Sequence, residues 1–157
     1  NLGAPETMRI SGLESWTAHA DEGVKYFSGT ATYAKTVEAP QTWFQSGAQL
    51  VLDLGTVCDI AEVSINGRSV AILWKPPYRV DVTGALRPGE NQVQIRVTNQ
   101  WTNRQMGDRV VAQDKRVLGG GGGGRGGFGG MFGGPPSQTP PQSGLIGPVR
   151  VLSIAGQ

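Results

Sequence analysis

The sequence predicts an all-β chain folded as an antiparallel sandwich or jelly roll, and three observations carry that expectation. Short runs rich in β-branched and aromatic residues alternate apolar and polar side chains at period two. Strong turn signals recur between those runs. No long segment shows a convincing 3.6-residue period. Many short strands with regular turns suit a sandwich or jelly roll better than any layered α/β plan.

The elements follow in order. Residues 25–37 read Lys-Tyr-Phe-Ser-Gly-Thr-Ala-Thr-Tyr-Ala-Lys-Thr-Val, a strand composition. Residues 49–54 put Leu50, Leu52 and Leu54 on one face, and Gly55 stops the run. A strand over 60–65 meets Asn66-Gly67, a pair that tolerates positive φ and marks a two-residue hairpin. The return strand over 69–74 ends at Pro76-Pro77, because proline donates nothing to a ladder. Extended structure resumes over 78–82, and 83–86 reads as a single turn. Residues 87–91, Arg-Pro-Gly-Glu-Asn, form a second turn. Residues 92–98 point Val93, Ile95 and Val97 inward, and 146–154 is the closing strand. Only 13–22 and 105–116 offer a helical alternative, without clear periodicity.

A chain of 157 residues suits one domain with one core. Twelve of the sixteen residues from 119 to 134 are glycine. Ordering that run would cost about 16–30 kcal/mol of backbone entropy, which two phenylalanines and a methionine cannot offset. Residues 119–143 are therefore expected to be a flexible Gly/Pro-rich loop inserted into a single β-sandwich domain spanning 1–157. A Gly/Arg/Phe nucleic-acid segment is the alternative, but Arg125 is the one arginine within it.

Composition narrows the function classes. The net charge is +2, from 14 basic and 12 acidic residues, which gives no electrostatic reason for a nucleic-acid partner. No stretch approaches the roughly 18–20 apolar residues that a membrane span needs. The start, Asn1-Leu2-Gly3, lacks a leader pattern and reads as a mature or excised piece. One cysteine and one histidine supply too few ligands for common zinc sites. Calcium is plausible chemistry for loop carboxylates, but no diagnostic ligand spacing is present. No cofactor, metal, membrane or nucleic-acid partner is predicted.

Several stretches, in order, resemble a known domain. Residues 26–33 (Tyr-Phe-Ser-Gly-Thr-Ala-Thr-Tyr) are similar to the opening strand of the galactose-binding-like, sugar-binding jelly roll of many glycoside hydrolases. Leu52-Asp53-Leu54-Gly55 with Ala61-Glu62-Val63-Ser64-Ile65-Asn66-Gly67 resembles its next hairpin, and residues 73–83 then 88–91 continue the order. Residues 97–104 (Val-Thr-Asn-Gln-Trp-Thr-Asn-Arg), ending Met106-Gly107-Asp108, look specifically like the terminal module of α-L-rhamnosidase-like hydrolases, and 143–149 match its last strand. The resemblance spans roughly residues 8–155, apart from the glycine insertion. It implies a galactose-binding-domain-like sandwich, an association with polysaccharide-degrading enzymes, and a secreted or periplasmic location. In such enzymes the catalytic carboxylates lie in a separate barrel domain, so this chain is expected to be non-catalytic.

A sugar offers an apolar C–H face ringed by hydroxyls, so its site wants aromatic platforms with polar groups beside them. Trp101, Asn103, Arg104 and Asp108 supply that inventory within eight residues. Trp74, Lys75 and Tyr78 supply a second set, and the two form one ligand site if their loops share an end of the sandwich. A purely structural use stays open: an Arg104–Asp108 pair pinning a loop, with Trp101 packed over the core. Trp16 and Trp43 lack a polar constellation and read as packing residues. Cys58 reads as a small buried apolar residue and not as a nucleophile. The twelve carboxylates are scattered and no motif nominates the facing pair that glycoside cleavage needs. The expected partners are a polysaccharide or oligosaccharide and the catalytic domain of a glycoside hydrolase. The alternative is a structural module that packs against that domain and touches no sugar.

Overall fold

The computed structural model describes residues 3–111, 116–118 and 139–154. The glycine-rich run and most of the expected insertion lie outside the described residues. Most of the regular secondary structure is strand. The strands are β1 (Thr30–Ala39), β2 (Gln49–Asp53), β3 (Thr56–Cys58), β4 (Ile60–Ile65), β5 (Arg68–Leu73), β6 (Arg79–Asp81), β7 (Gly89–Thr98), β8 (Gly144–Gly147) and β9 (Arg150–Ile154). One sheet has the order β1-β7-β4-β5, a second β6-β2-β9, and a short third pairs β3 with β8. Every pairing is antiparallel. The fold is the all-β sandwich that the sequence predicts.

Period-two burial builds the core. Leu50, Leu52 and Leu54 from the β2 run meet Ala61, Val63 and Ile65 of β4 and Ile95 and Val97 of β7. Each full burial of such a side chain contributes about 1.5–3 kcal/mol. Asn66 and Gly67 take φ of 52° and 79°, so the β4–β5 hairpin turns where two left-handed residues are required. Asn66 also donates to Asn91 Oδ1 at 2.9 Å and accepts from the Gln92 amide, which ties this turn to the next one.

Three expectations need correction. The first strand begins at Thr30, not at residue 25. Asp21 Oδ1 accepts from the amides of Gly23 and Val24, and that cap starts a short helix, α1 (Glu22–Lys25), ahead of the strand. The closing strand is two strands, since Pro148 has no N–H to offer: β8 pairs with β3 and β9 with β2. The stretch after Trp101, where the sequence places a loop with a helical alternative only over 105–116, is a second helix, α2 (Thr102–Val110). Its buried residues are Asn103, Arg104, Gly107 and Asp108, so a search for apolar periodicity passes over it.

Gly107 shows how tightly α2 is held. A Cβ there would lie 2.7 Å from the Tyr26 Cβ. Alanine gains up to about 1 kcal/mol of helix propensity over glycine, but overpacking costs about 1–3 kcal/mol. Gly107→Ala is therefore expected to lower the midpoint of thermal unfolding. A midpoint that rises would show that α2 can move off Tyr26.

Candidate functional site

The strand register places both candidate loops at one end of the four-stranded sheet. Leu73, the last residue of β5, sits opposite Ala61. Ala61 sits opposite Val97, and Ile60 opposite Thr98, the last residue of β7. Residues 74–78 and 99–101 therefore leave the sheet side by side, with only β4 between their parent strands. Two strand spacings separate them, about 10 Å.

Trp74 and Trp101 are the exposed aromatics of this end, with 68% and 63% of their surface in solvent. The Lys75 ammonium lies 5.2 Å from the centroid of the Trp74 ring, a cation–π distance worth about 0.5–1 kcal/mol at an exposed site. Tyr78, two residues past the first proline, turns the other way. It is buried, its hydroxyl donates to the Asp59 carbonyl at 2.8 Å, and its own carbonyl accepts from the Leu54 amide. Burial first, then the charges of Asp59 and Cys58, pushes the Tyr78 phenol up from its ordinary value.

Asn99 positions the second loop, and the residue-by-residue reading missed it. Its Nδ2 donates to the Phe27 carbonyl at 2.8 Å and its Oδ1 accepts from the Gly29 amide at 2.9 Å. The start of β1 and the exit of β7 are thus clamped together, and Trp101 follows two residues on. The signal was an Asx residue directly after a strand, where its side chain can satisfy backbone groups.

The polar members of the Trp101 cluster face inward. Asn103 Nδ2 donates to the Pro141 carbonyl at 3.2 Å and to Ser143 Oγ at 3.1 Å. Arg104 Nε and Nη2 both donate to Asp108 Oδ1, at 2.9 and 2.6 Å, one helical turn apart. The Asp108 carboxylate also accepts from the amides of Val117 (3.1 Å) and Leu118 (2.8 Å). Burial pushes the Asp108 carboxyl up, but the Leu118 amide, the Arg104 guanidinium and the Val117 amide outweigh it, leaving it below the usual carboxylate range. Asn103 and Asp108 thereby join α2 to the segments on both sides of the glycine-rich run, while the Arg104 amide donates to Ser28 Oγ at 2.9 Å.

Trp16 is buried, edge-on to Phe27, and donates its Nε1–H to Tyr33 Oη at 2.6 Å. Trp43 is partly buried against the core. Cys58, expected to be buried, is only half-buried, and burial, then the neighbouring Asp59 charge, raises its thiol above the ordinary value. Two grooves of ≈ 330 and ≈ 420 Å³ lie beside Thr139 and Pro140, and neither is lined by Trp74, Lys75, Tyr78 or Trp101. At this end the two indoles lie exposed at the surface, where a ring can stack on them.

The comparisons with known proteins follow the same line. Residues 16–117 match the family described as glycosyl hydrolase 2 galactose-binding domain-like. The chain is 48% identical, over 107 residues, to a Formosa agariphila protein that carries the provisional name β-glucuronidase. That match covers 68% of this chain and 9% of the relative. Among solved structures, the rhamnosidase from Novosphingobium sp. PP1Y superposes with a TM-score of 0.75 at 38% identity, over 97% of this chain and 13% of that one. A β-glucuronidase from an uncultured Clostridium sp. shares the fold over 64% of this chain and 19% of its own, at TM-score 0.50 and 23% identity. The chain thus spans a small fraction of the proteins it resembles. What it matches is a galactose-binding-like domain and not the catalytic module, and the chain belongs to the glycosyl hydrolase 2 galactose-binding domain-like family.

Proposed function

We propose that this chain is a non-catalytic carbohydrate-binding module of a glycoside hydrolase, with glycan seated on the end of the sandwich that carries Trp74 and Trp101. The supporting observation is the pair of exposed indoles on adjacent loops of one sheet end. Both indoles stand exposed among the described residues, and a sugar's C–H face would give each a partner. Lys75, beside Trp74, supplies a donor for ring hydroxyls. Tyr78, Asn103, Arg104 and Asp108 serve this site indirectly, by fixing the two loops. The module works beside a catalytic domain of the same hydrolase, and because polysaccharide is met outside the cytoplasm, a secreted or periplasmic location accompanies this reading.

Affinity for one sugar should be weak, near the millimolar range that corresponds to about 4 kcal/mol. Trp74→Ala and Trp101→Ala are each expected to weaken oligosaccharide binding at least about tenfold, roughly 1.4 kcal/mol, with unfolding midpoints unchanged. Calorimetric titration of the chain and both variants against a glycan panel tests this. Unaltered affinity in both folded variants would remove the site.

One observation favours a second reading. Ile60 and Ile72 are also exposed, 40% and 63%, beside Trp74. Together they extend the aromatic end into an apolar patch of the sort that marks a protein interface. On that reading the module is structural and packs against the catalytic domain. Absence of heat with every glycan, together with Trp74-dependent binding to a separately produced catalytic domain, would select it.

A further inference from the structure

Among the described residues, strand β1 is an unpaired edge of the four-stranded sheet, whose other edge is β5. Its ten residues pair with β7 in unbroken register, from Thr30 opposite Thr98 to Ala39 opposite Gly89, with no bulge. The direction of its backbone groups follows from neighbouring bonds. The Asn99 amide donates to the Gly29 carbonyl, while the Thr98 and Gln92 carbonyls accept from Asp59 and Asn66 on the β4 side. Odd-numbered residues of β1 therefore bond to β7. Thr30, Thr32, Ala34, Thr36 and Glu38 turn their N–H and C=O groups outward, to an edge with no hydrogen-bond partner among the described residues. All five are exposed.

Sheet edges of this length usually carry a proline, a bulge or an inward-pointing charge that prevents pairing. β1 has no proline and no bulge, but Lys35 shares the core-side face with Tyr33 and Val37 and is a charge of that kind, so pairing needs a register that keeps two lysines apart. Its sequence also complements itself. An antiparallel copy centred on Ala34 pairs Ala34 with Ala34, Thr32 with Thr36, and Thr30 with Glu38. All five outward-bonding residues are then matched, giving about ten backbone bonds. Lys35 falls opposite Tyr33 of the other copy. Shifting the centre to residue 35 sets two lysines face to face, which is unfavourable, and leaves Thr30 unmatched. Centring on Thr32 or Thr36 matches only three outward-bonding residues.

We propose that two copies of this chain associate through β1, edge to edge about a two-fold axis, merging two four-stranded sheets into one of eight strands. Cross-strand threonine pairs line the outer face of the seam, and backbone hydrogen bonds form it. The seam runs along β1 from Thr30, near the Trp101 loop, to Glu38, and it uses neither exposed indole.

Sedimentation of the chain across a wide concentration range tests the proposal. Wild type is expected to pass from monomer to dimer as concentration rises. Ala34→Pro removes an outward N–H that β7 does not use, so the ladder to β7 survives, and dimerisation should weaken at least tenfold. A second variant, Thr32→Lys with Thr36→Lys, places lysines opposite lysines in the proposed register. It should be monomeric at low salt and recover association at high salt, and it decides the matter if the proline variant does not fold. A wild type that stays monomeric throughout, or a dimer that persists in the folded variants, would overturn the proposal.

Discussion

Replacing Asp108 by alanine is expected to lower the unfolding free energy by about 3–5 kcal/mol, because it removes the buried carboxylate to which Arg104 Nε and Nη2 both donate. The same change strips the acceptor from the Val117 and Leu118 amides, so it unties the chain at the entrance to the glycine-rich run. Replacing both partners by apolar residues of similar volume should cost much less, since no charge is then stranded. The ion pair also sets a pH dependence. The carboxyl of Asp108 is held below its usual value in the folded chain. Its contribution is therefore fully present above the ordinary carboxylate range and is lost as pH falls through the lowered value. Urea unfolding of wild type and Asp108→Ala from about pH 7 down to about pH 3 should show the gap between them narrowing toward acid. A gap that is small at neutral pH would mean that the pair is not buried in solution.

The second large effect concerns the far side of the glycine-rich run. Leu145 is fully buried, pairs with Val57, and gives its amide to Tyr33 Oη at 3.1 Å. Leu145→Ala should cost about 2–5 kcal/mol, a large part of the 5–15 kcal/mol that a domain usually has. Ending the chain at residue 118 goes further. It removes β8, the strand that pairs with β3, and β9, which pairs with β2 along all five of its residues. That truncated chain is expected to show no cooperative unfolding transition by fluorescence. A cooperative transition with native-like stability would mean that residues 139–154 are an appendage and not part of the sandwich.

Much of this fold was legible because local chemistry and long-range packing agree. The leucines of β2 alternate for the same reason that they bury, and Asn66-Gly67 turns the chain wherever it is placed. The ordered stretches from residues 26–33 to 143–149 also pointed to the family. What stayed hidden is what only tertiary contacts decide. Helix α2 is buried through Asn103, Arg104 and Asp108, so its inward face is polar and has no apolar rhythm. Tyr78 and Trp74 flank the same pair of prolines, yet one fills the core and the other faces solvent. That difference depends on the Asp59 carbonyl standing where the Tyr78 hydroxyl arrives, which spacing along the chain does not encode. The site was legible as two clusters. Their placement at one end needed the β5–β4–β7 register, and the division between Trp74, Lys75 and Trp101 on the surface and the inward-facing remainder needed the packed structure.

The reading as a carbohydrate-binding module is tested most directly by following the four indole N–H resonances while an oligosaccharide is titrated into the folded chain. The Trp74 and Trp101 signals should shift together and saturate along one binding curve. Trp16, whose N–H is committed to Tyr33, should stay in place. Shifts at neither exposed indole across a broad glycan panel would contradict the proposal and leave that end of the sandwich as a surface for protein.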